Sequence, residues 1–142
     1  MAKTIQSIVI KAPAQACYDA IWDFARYPEF IDELKKVRIL SADENVRCVE
    51  FNVKIVKEIK YSLDFTGHPP QEIHWTLHQG FFKMNEGVWR LREVSPDRTL
   101  VEYEIDIEFG LMVPTSVIKI LQENNLPKML QAFKNRLERK RD

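Results

Sequence analysis

The sequence predicts an α+β domain in which a curved antiparallel sheet wraps around one long C-terminal helix. Three observations carry that prediction. Residues 100–109 read Leu-Val-Glu-Tyr-Glu-Ile-Asp-Ile-Glu-Phe, so Val101, Tyr103, Ile105, Ile107 and Phe109 share one face while Glu102, Glu104, Asp106 and Glu108 share the other. Strict period two with a dry and a wet side marks an antiparallel strand that is half buried. The same alternation recurs in Val49-Phe51-Val53-Ile55 and Ile59-Tyr61-Leu63-Phe65, which extends one apolar, aromatic face across neighbouring strands. After Gly110 the period becomes helical, with Val117, Ile118, Leu121, Met129, Leu130, Phe133 and Leu137 spaced to cover that face. A curved sheet closed mainly by a single helix leaves room for a cavity.

The elements follow in chain order. Thr4 to Lys11, with Ile8-Val9-Ile10, reads as a strand. Pro13 suits the first turn of a helix, where its missing N–H costs nothing, and Cys17, Ala20, Ile21 and Phe24 repeat at helical spacing from Ala14 to Phe24. Pro28 disfavours the α region for Tyr27, so this helix is expected to stop by there. A second helical turn is expected through Glu29 to Leu34, with Trp22, Tyr27 and Phe30 clustered in the notch. From Lys36 to Phe109 the chain reads as consecutive strands. They are broken at Ala42-Asp43-Glu44-Asn45, around Lys57, at Gly67-His68-Pro69-Pro70, at Gln79-Gly80 and at Ser95-Pro96-Asp97-Arg98, and these are turn-forming residues. Such short connections favour an antiparallel meander. The helix over residues 115–138 would be roughly 35–40 Å long at 1.5 Å per residue, and Pro127 predicts a kink near Asn124-Asn125, either following the sheet's curvature or forming a hinge.

Composition narrows the function classes. A chain of 142 residues fits one domain, residues 1–142, and can bury a core without staples. Lys plus Arg and Asp plus Glu balance at 21 each, so no overall field recruits nucleic acid or anionic membrane, and no direct nucleic-acid binding is expected. The basic run 134–141 complements a helix C-terminus, with transient ribosome or membrane contact as its alternative use. Cys17 and Cys48 lack CxxC spacing, and His74 and His78 stand roughly 13 Å apart along one strand, too far for one ion. No metal and no cofactor are expected. No apolar run is long enough to span a bilayer, and with two isolated cysteines the cytoplasm is the expected compartment.

One family matches this order of elements. The residues that carry the resemblance are Trp22-Asp23-Phe24-Ala25-Arg26-Tyr27-Pro28-Glu29-Phe30, the strand opening Met84-Asn85-Glu86-Gly87-Val88-Trp89-Arg90-Leu91, then Thr99-Leu100-Val101-Glu102-Tyr103, and Leu126-Pro127-Lys128-Met129-Leu130-Gln131-Ala132-Phe133. In these the chain resembles the polyketide cyclase/dehydrase and coenzyme Q-binding START-like family, of the helix-grip, pollen-allergen-like superfamily. The resemblance implies a hydrophobic cavity between sheet and long helix, and it supplies no fixed catalytic constellation.

The residues expected to line that cavity are Phe51, Tyr61, Phe65, Trp75, Trp89, Tyr103, Ile105, Leu121 and Met129. Two polar candidates accompany them. Glu86 precedes Gly87, and a glycine-marked bulge there would turn its carboxylate inward; His68 sits in a loop that would reach the cavity mouth. The acidic row 102–108 is expected to pair with Arg90 and Arg92 across the hairpin and to need no further role. No phosphate loop, nucleophile elbow or zinc signature is present. The expected function is therefore binding or transport of a hydrophobic small molecule of the polyprenyl-quinone, lipid or polyketide kind, without catalysis. The alternatives are a polyketide cyclase/dehydratase, in which Glu86, His68 or a buried tyrosine moves protons, and a partner-binding role on a ribosome or respiratory complex.

Overall fold

The structure, a computed structural model, describes residues 2–54, 57–110, 113–120 and 126–141. Strand β1 (Ala2–Ile10) leads into helix α1 (Ala14–Trp22) and a 3₁₀ segment (Phe24–Glu29). Six strands follow, namely β2 (Leu34–Asp43), β3 (Val46–Lys54), β4 (Glu58–His68), β5 (Glu72–Gly80), β6 (Met84–Ser95) and β7 (Arg98–Glu108). Helices α2 (Thr115–Ile120) and α3 (Leu126–Arg141) come last. The strands form a seven-stranded sheet in the order β1-β7-β6-β5-β4-β3-β2, antiparallel throughout. This is the helix-grip arrangement; Glu44-Asn45, Pro69-Pro70 and Pro96-Asp97 connect strands as expected, whereas Gln79 and Gly80 pair within β5 and the connection follows at residues 81–83.

The period-two pattern sets which face is dry. Val49, Phe51, Val53, Ile59, Leu63, Phe65, Val101, Tyr103, Ile105 and Ile107 are all buried, whereas Glu104 keeps its carboxylate outside with Lys3 (3.2 Å) and Arg90 (3.1 Å). Arg90 also meets Glu102 at 2.7 Å, directly across the β6–β7 ladder. Its expected companion Arg92 stands opposite Leu100 and makes no ion pair among the described residues.

Helix α3 closes the dry face with Leu130, Phe133 and Leu137. The Phe133 ring is the keystone, 5.3 Å from Tyr27, 5.0 Å from Phe30 and 5.4 Å from Trp89, and burying such a ring contributes about 1.5–3 kcal/mol. The basic run then works locally. Lys134 reaches the Val9 carbonyl at 2.9 Å and Glu138 at 2.6 Å, while Arg136 meets Glu29 at 2.8 Å and lies over the Phe30 ring.

Two further local expectations change, and a third falls on residues that are not described. The second helical turn begins at Phe24 instead of Glu29 and contains Pro28, because its i→i+3 bonds, Arg26 N–H to Asp23 O and Phe30 N–H to Tyr27 O, bypass the proline nitrogen. The β6–β7 ladder runs in register through Glu86↔Asp106 and Gly87↔Ile105, so no bulge occurs at Gly87. Pro127 is the second residue of α3 as described, and the kink expected at Asn124-Asn125 lies outside the described residues, as do Ile55 and Leu121.

Candidate functional site

The cavity between sheet and α3 is built from aromatic side chains on consecutive strands. Ladder pairs Phe51↔Tyr61, Phe65↔Trp75 and Trp89↔Tyr103 place large rings side by side on β3 through β7. Trp75 stacks on Tyr103 with centroids 5.1 Å apart and planes at 26°, and Trp89 meets the same tyrosine edge-on at 4.6 Å. The stack needs Gly87. A Cβ there would collide with the Trp75 ring and with the Glu104 carbonyl oxygen, so the missing side chain is what lets the indole lie across β6.

The cavity measures about 160 Å³. Eight of the nine expected lining residues stand on it: Phe51, Tyr61, Phe65, Trp75, Trp89, Tyr103, Ile105 and Met129. The ninth, Leu121, lies outside the described residues. Leu63, Phe82 and Ile107 extend the apolar wall, and Tyr27, Ile31, Leu34 and Leu126 complete it toward the 3₁₀ segment and α3.

Both polar candidates fall elsewhere. Because the ladder keeps its register at Gly87, Glu86 remains on the outer face and is exposed. His68, at the end of β4, is exposed and packs against His74. The residue turned inward is Asn85, 3 % exposed, whose Oδ1 accepts a hydrogen bond from Trp75 Nε1 at 3.0 Å. Its signal was legible, since Asn85 shares the face of Gly87, Trp89 and Leu91 at period two, and its polarity alone hid it.

Three phenols also look into this space. Tyr27 donates to the Ile21 carbonyl oxygen. Tyr61 and Tyr103 have no hydrogen-bond partner among the described residues, and burial pushes both hydroxyls above the ordinary phenol range, with their mutual proximity adding to the effect at Tyr103. They are therefore neutral donors at physiological pH, offered to whatever occupies the cavity. At the mouth Glu33 meets Lys128 of α3 at 2.6 Å. Burial pushes the Glu33 carboxyl up, but the bond and charge of Lys128 outweigh it and hold the group below its usual value. This pair ties α3 to the loop before β2.

Comparison with known proteins agrees with this geometry. Residues 10–134 match the model of the family described as polyketide cyclase/dehydrase and lipid transport. The chain belongs to this family. It is 24% identical over 109 residues to the ribosome association toxin RatA of Pseudomonas aeruginosa, covering 74% of each chain. Among solved structures it is similar to a START superfamily protein from Mycobacterium smegmatis, with a TM-score of 0.83, 24% identity, and coverage of 96% of this chain and 97% of that one. It is also similar to the Zhui aromatase/cyclase from Streptomyces sp. R1128, with a TM-score of 0.90 at 16% identity, covering 99% and 96% of the two chains. At such identities these likenesses speak to the fold, which supports hydrophobic-ligand binding in general terms. No helix among the described residues is long and apolar enough to cross a membrane.

Proposed function

We propose that residues 1–142 act as one domain that binds and carries a hydrophobic small molecule in the cytoplasm, releasing it chemically unchanged. The observation that carries this reading is the pairing of an aromatic cavity with two neutral phenols, Tyr61 and Tyr103, that have no hydrogen-bond partner among the described residues. Apolar contact supplies the affinity, roughly 25 cal/mol per Å² before ordering costs. The hydroxyls orient a carbonyl or hydroxyl oxygen on the ligand. A space of about 160 Å³ fits a single ring system or one segment of a chain better than a complete polyprenyl tail or a fused polycycle. The ligand is then a lipid, quinone or polyketide-like molecule whose oxygen-bearing end enters the cavity.

A cyclase/dehydratase is the second reading, favoured by one feature: two O–H donors lining one cavity are suited to stabilising negative charge that develops on a carbonyl oxygen. Against it, the carboxylate and histidine expected to move protons, Glu86 and His68, are exposed, and Glu33 at the mouth is held by Lys128. Ribosome association, named for one relative, is a third reading. The tail's Lys134 and Arg136, which would serve such contact, are engaged by Glu138 and Glu29.

Native mass spectrometry of the freshly purified protein tests the first reading by looking for a co-purifying apolar molecule. Incubation with candidate quinones, fatty acids and polyketide intermediates should return each compound unchanged. Turnover that disappears in Tyr103→Phe would replace the carrier by the cyclase.

A further inference from the structure

On the outer face of the sheet, away from the cavity, three adjacent strands bring together a thiol, a carboxylate and an imidazole. Cys48 on β3 stands directly opposite Asp64 on β4 in the ladder. The β4–β5 register then slips between Leu63↔Leu77 and Ser62↔Gln79, which leaves His78 as the extra residue of a β-bulge. The bulge aims its ring at Asp64, with Nδ1 3.2 Å from Oδ2. One ligand atom from each of Cys48, Asp64 and His78 lies within 4.8 Å of the others. The carboxylate is the group that thiol and imidazole share, since Asp64 stands opposite Cys48 in the ladder and 3.2 Å from His78 Nδ1. That order is wrong for a nucleophilic cysteine, which needs the imidazole against the sulfur and the carboxylate behind it.

We propose that Cys48, Asp64 and His78 form a zinc-binding site that staples β3, β4 and β5. Sulfur, nitrogen and oxygen donors together suit Zn(II), and the thiolate selects against magnesium and calcium. Tetrahedral bonds of roughly 2.0–2.3 Å place ligand atoms about 3.5 Å apart, so the cluster closes by only about 1 Å. The Asp64 and His78 side chains, 43% and 47% exposed, are free to make that movement, while Cys48 is fixed in the ladder. On binding, the ion replaces the thiol proton, which leaves to solvent, and water takes the fourth position. The site is independent of the cavity and of the carrier reading.

The test uses the full-length protein, stripped with a chelator and titrated with Co(II) at constant neutral pH. A sulfur-to-cobalt charge-transfer band that saturates at one ion per chain and is displaced by Zn(II) is expected. Removing an outer partner of a metal ligand already costs 10–100-fold in affinity, so His78→Gln should weaken binding at least about tenfold. Cys48→Ser should abolish the band. His78 is exposed and its variant should fold normally, so a folding defect in Cys48→Ser leaves the question decidable. Zn(II) should raise the melting temperature of the parent protein and not that of His78→Gln. Absence of the band at stoichiometric Co(II), or parental Zn(II) affinity in His78→Gln, overturns the site.

Discussion

The two faces of the same strands solve opposite problems. On the inner face of β4 to β7, polar atoms are few and each matters: Asn85 satisfies Trp75 Nε1, and Tyr61 and Tyr103 hold hydroxyls without partners among the described residues. On the outer face charges are many and several satisfy one another, as in Arg90 with Glu102 and Glu104 and Lys3 with Glu104. The difference teaches where a substitution speaks about function. Inside, removing one group changes both packing and the chemistry offered to a ligand. Outside, at these exposed ion pairs, water replaces what is lost.

The sharpest way to break this contrast is Trp75→Ala. The indole is 3 % exposed and contacts Phe65 and Tyr103, so its loss should cost about 3–5 kcal/mol in urea denaturation and enlarge the cavity. A cost below 1 kcal/mol would mean that the face is loosely packed. Asn85→Ala comes next. It strands the Trp75 N–H in an apolar site and should cost about 1–3 kcal/mol by the same measurement.

Tyr103→Phe separates packing from recognition. Its hydroxyl has no hydrogen-bond partner among the described residues, so stability should change by less than about 1 kcal/mol, whereas affinity for an oxygen-bearing ligand should fall about tenfold in calorimetric titration, equivalent to 1.4 kcal/mol. Unaltered binding would move the ligand's oxygen away from the phenol pair. On the outer face a double-mutant cycle between Arg90 and Glu102 should return a coupling of only about 0.2–1 kcal/mol.

The smallest expected effect is on pH dependence. Hydrogen bonds from Lys3 and then Arg90 hold the Glu104 carboxyl below its ordinary 4.5, and Lys134 followed by the Lys11 amide does the same for Glu138. Both groups therefore contribute stability that is present above pH 4.5 and is lost as pH falls through their lower folded values. Thermal melts at falling pH should show less acid loss in Glu104→Gln than in the parent. Equal loss would place the acid sensitivity elsewhere.

The sequence alone determined the sheet, its dry face and most of the cavity wall. Side-chain direction along a strand has period two, so Tyr61, Phe65, Trp75, Trp89 and Tyr103 could be assigned inward without knowing what faced them. Register could not be read in the same way. It is fixed by pairing between strands, and one residue of slip reverses every side chain beyond it. Glycine at 87 suggested a bulge, yet the ladder stays in register because the space above Gly87 is filled by Trp75; Glu86 consequently faces water and Asn85 the cavity. One slip lies instead at His78, with no glycine at that position to announce it. Along the chain His74 and His78 are too far apart to share an ion, and that argument holds for the pair. Only the tertiary structure set His78 beside Asp64 and Cys48, because proximity across a sheet comes from hydrogen-bonded register and local sequence does not encode it.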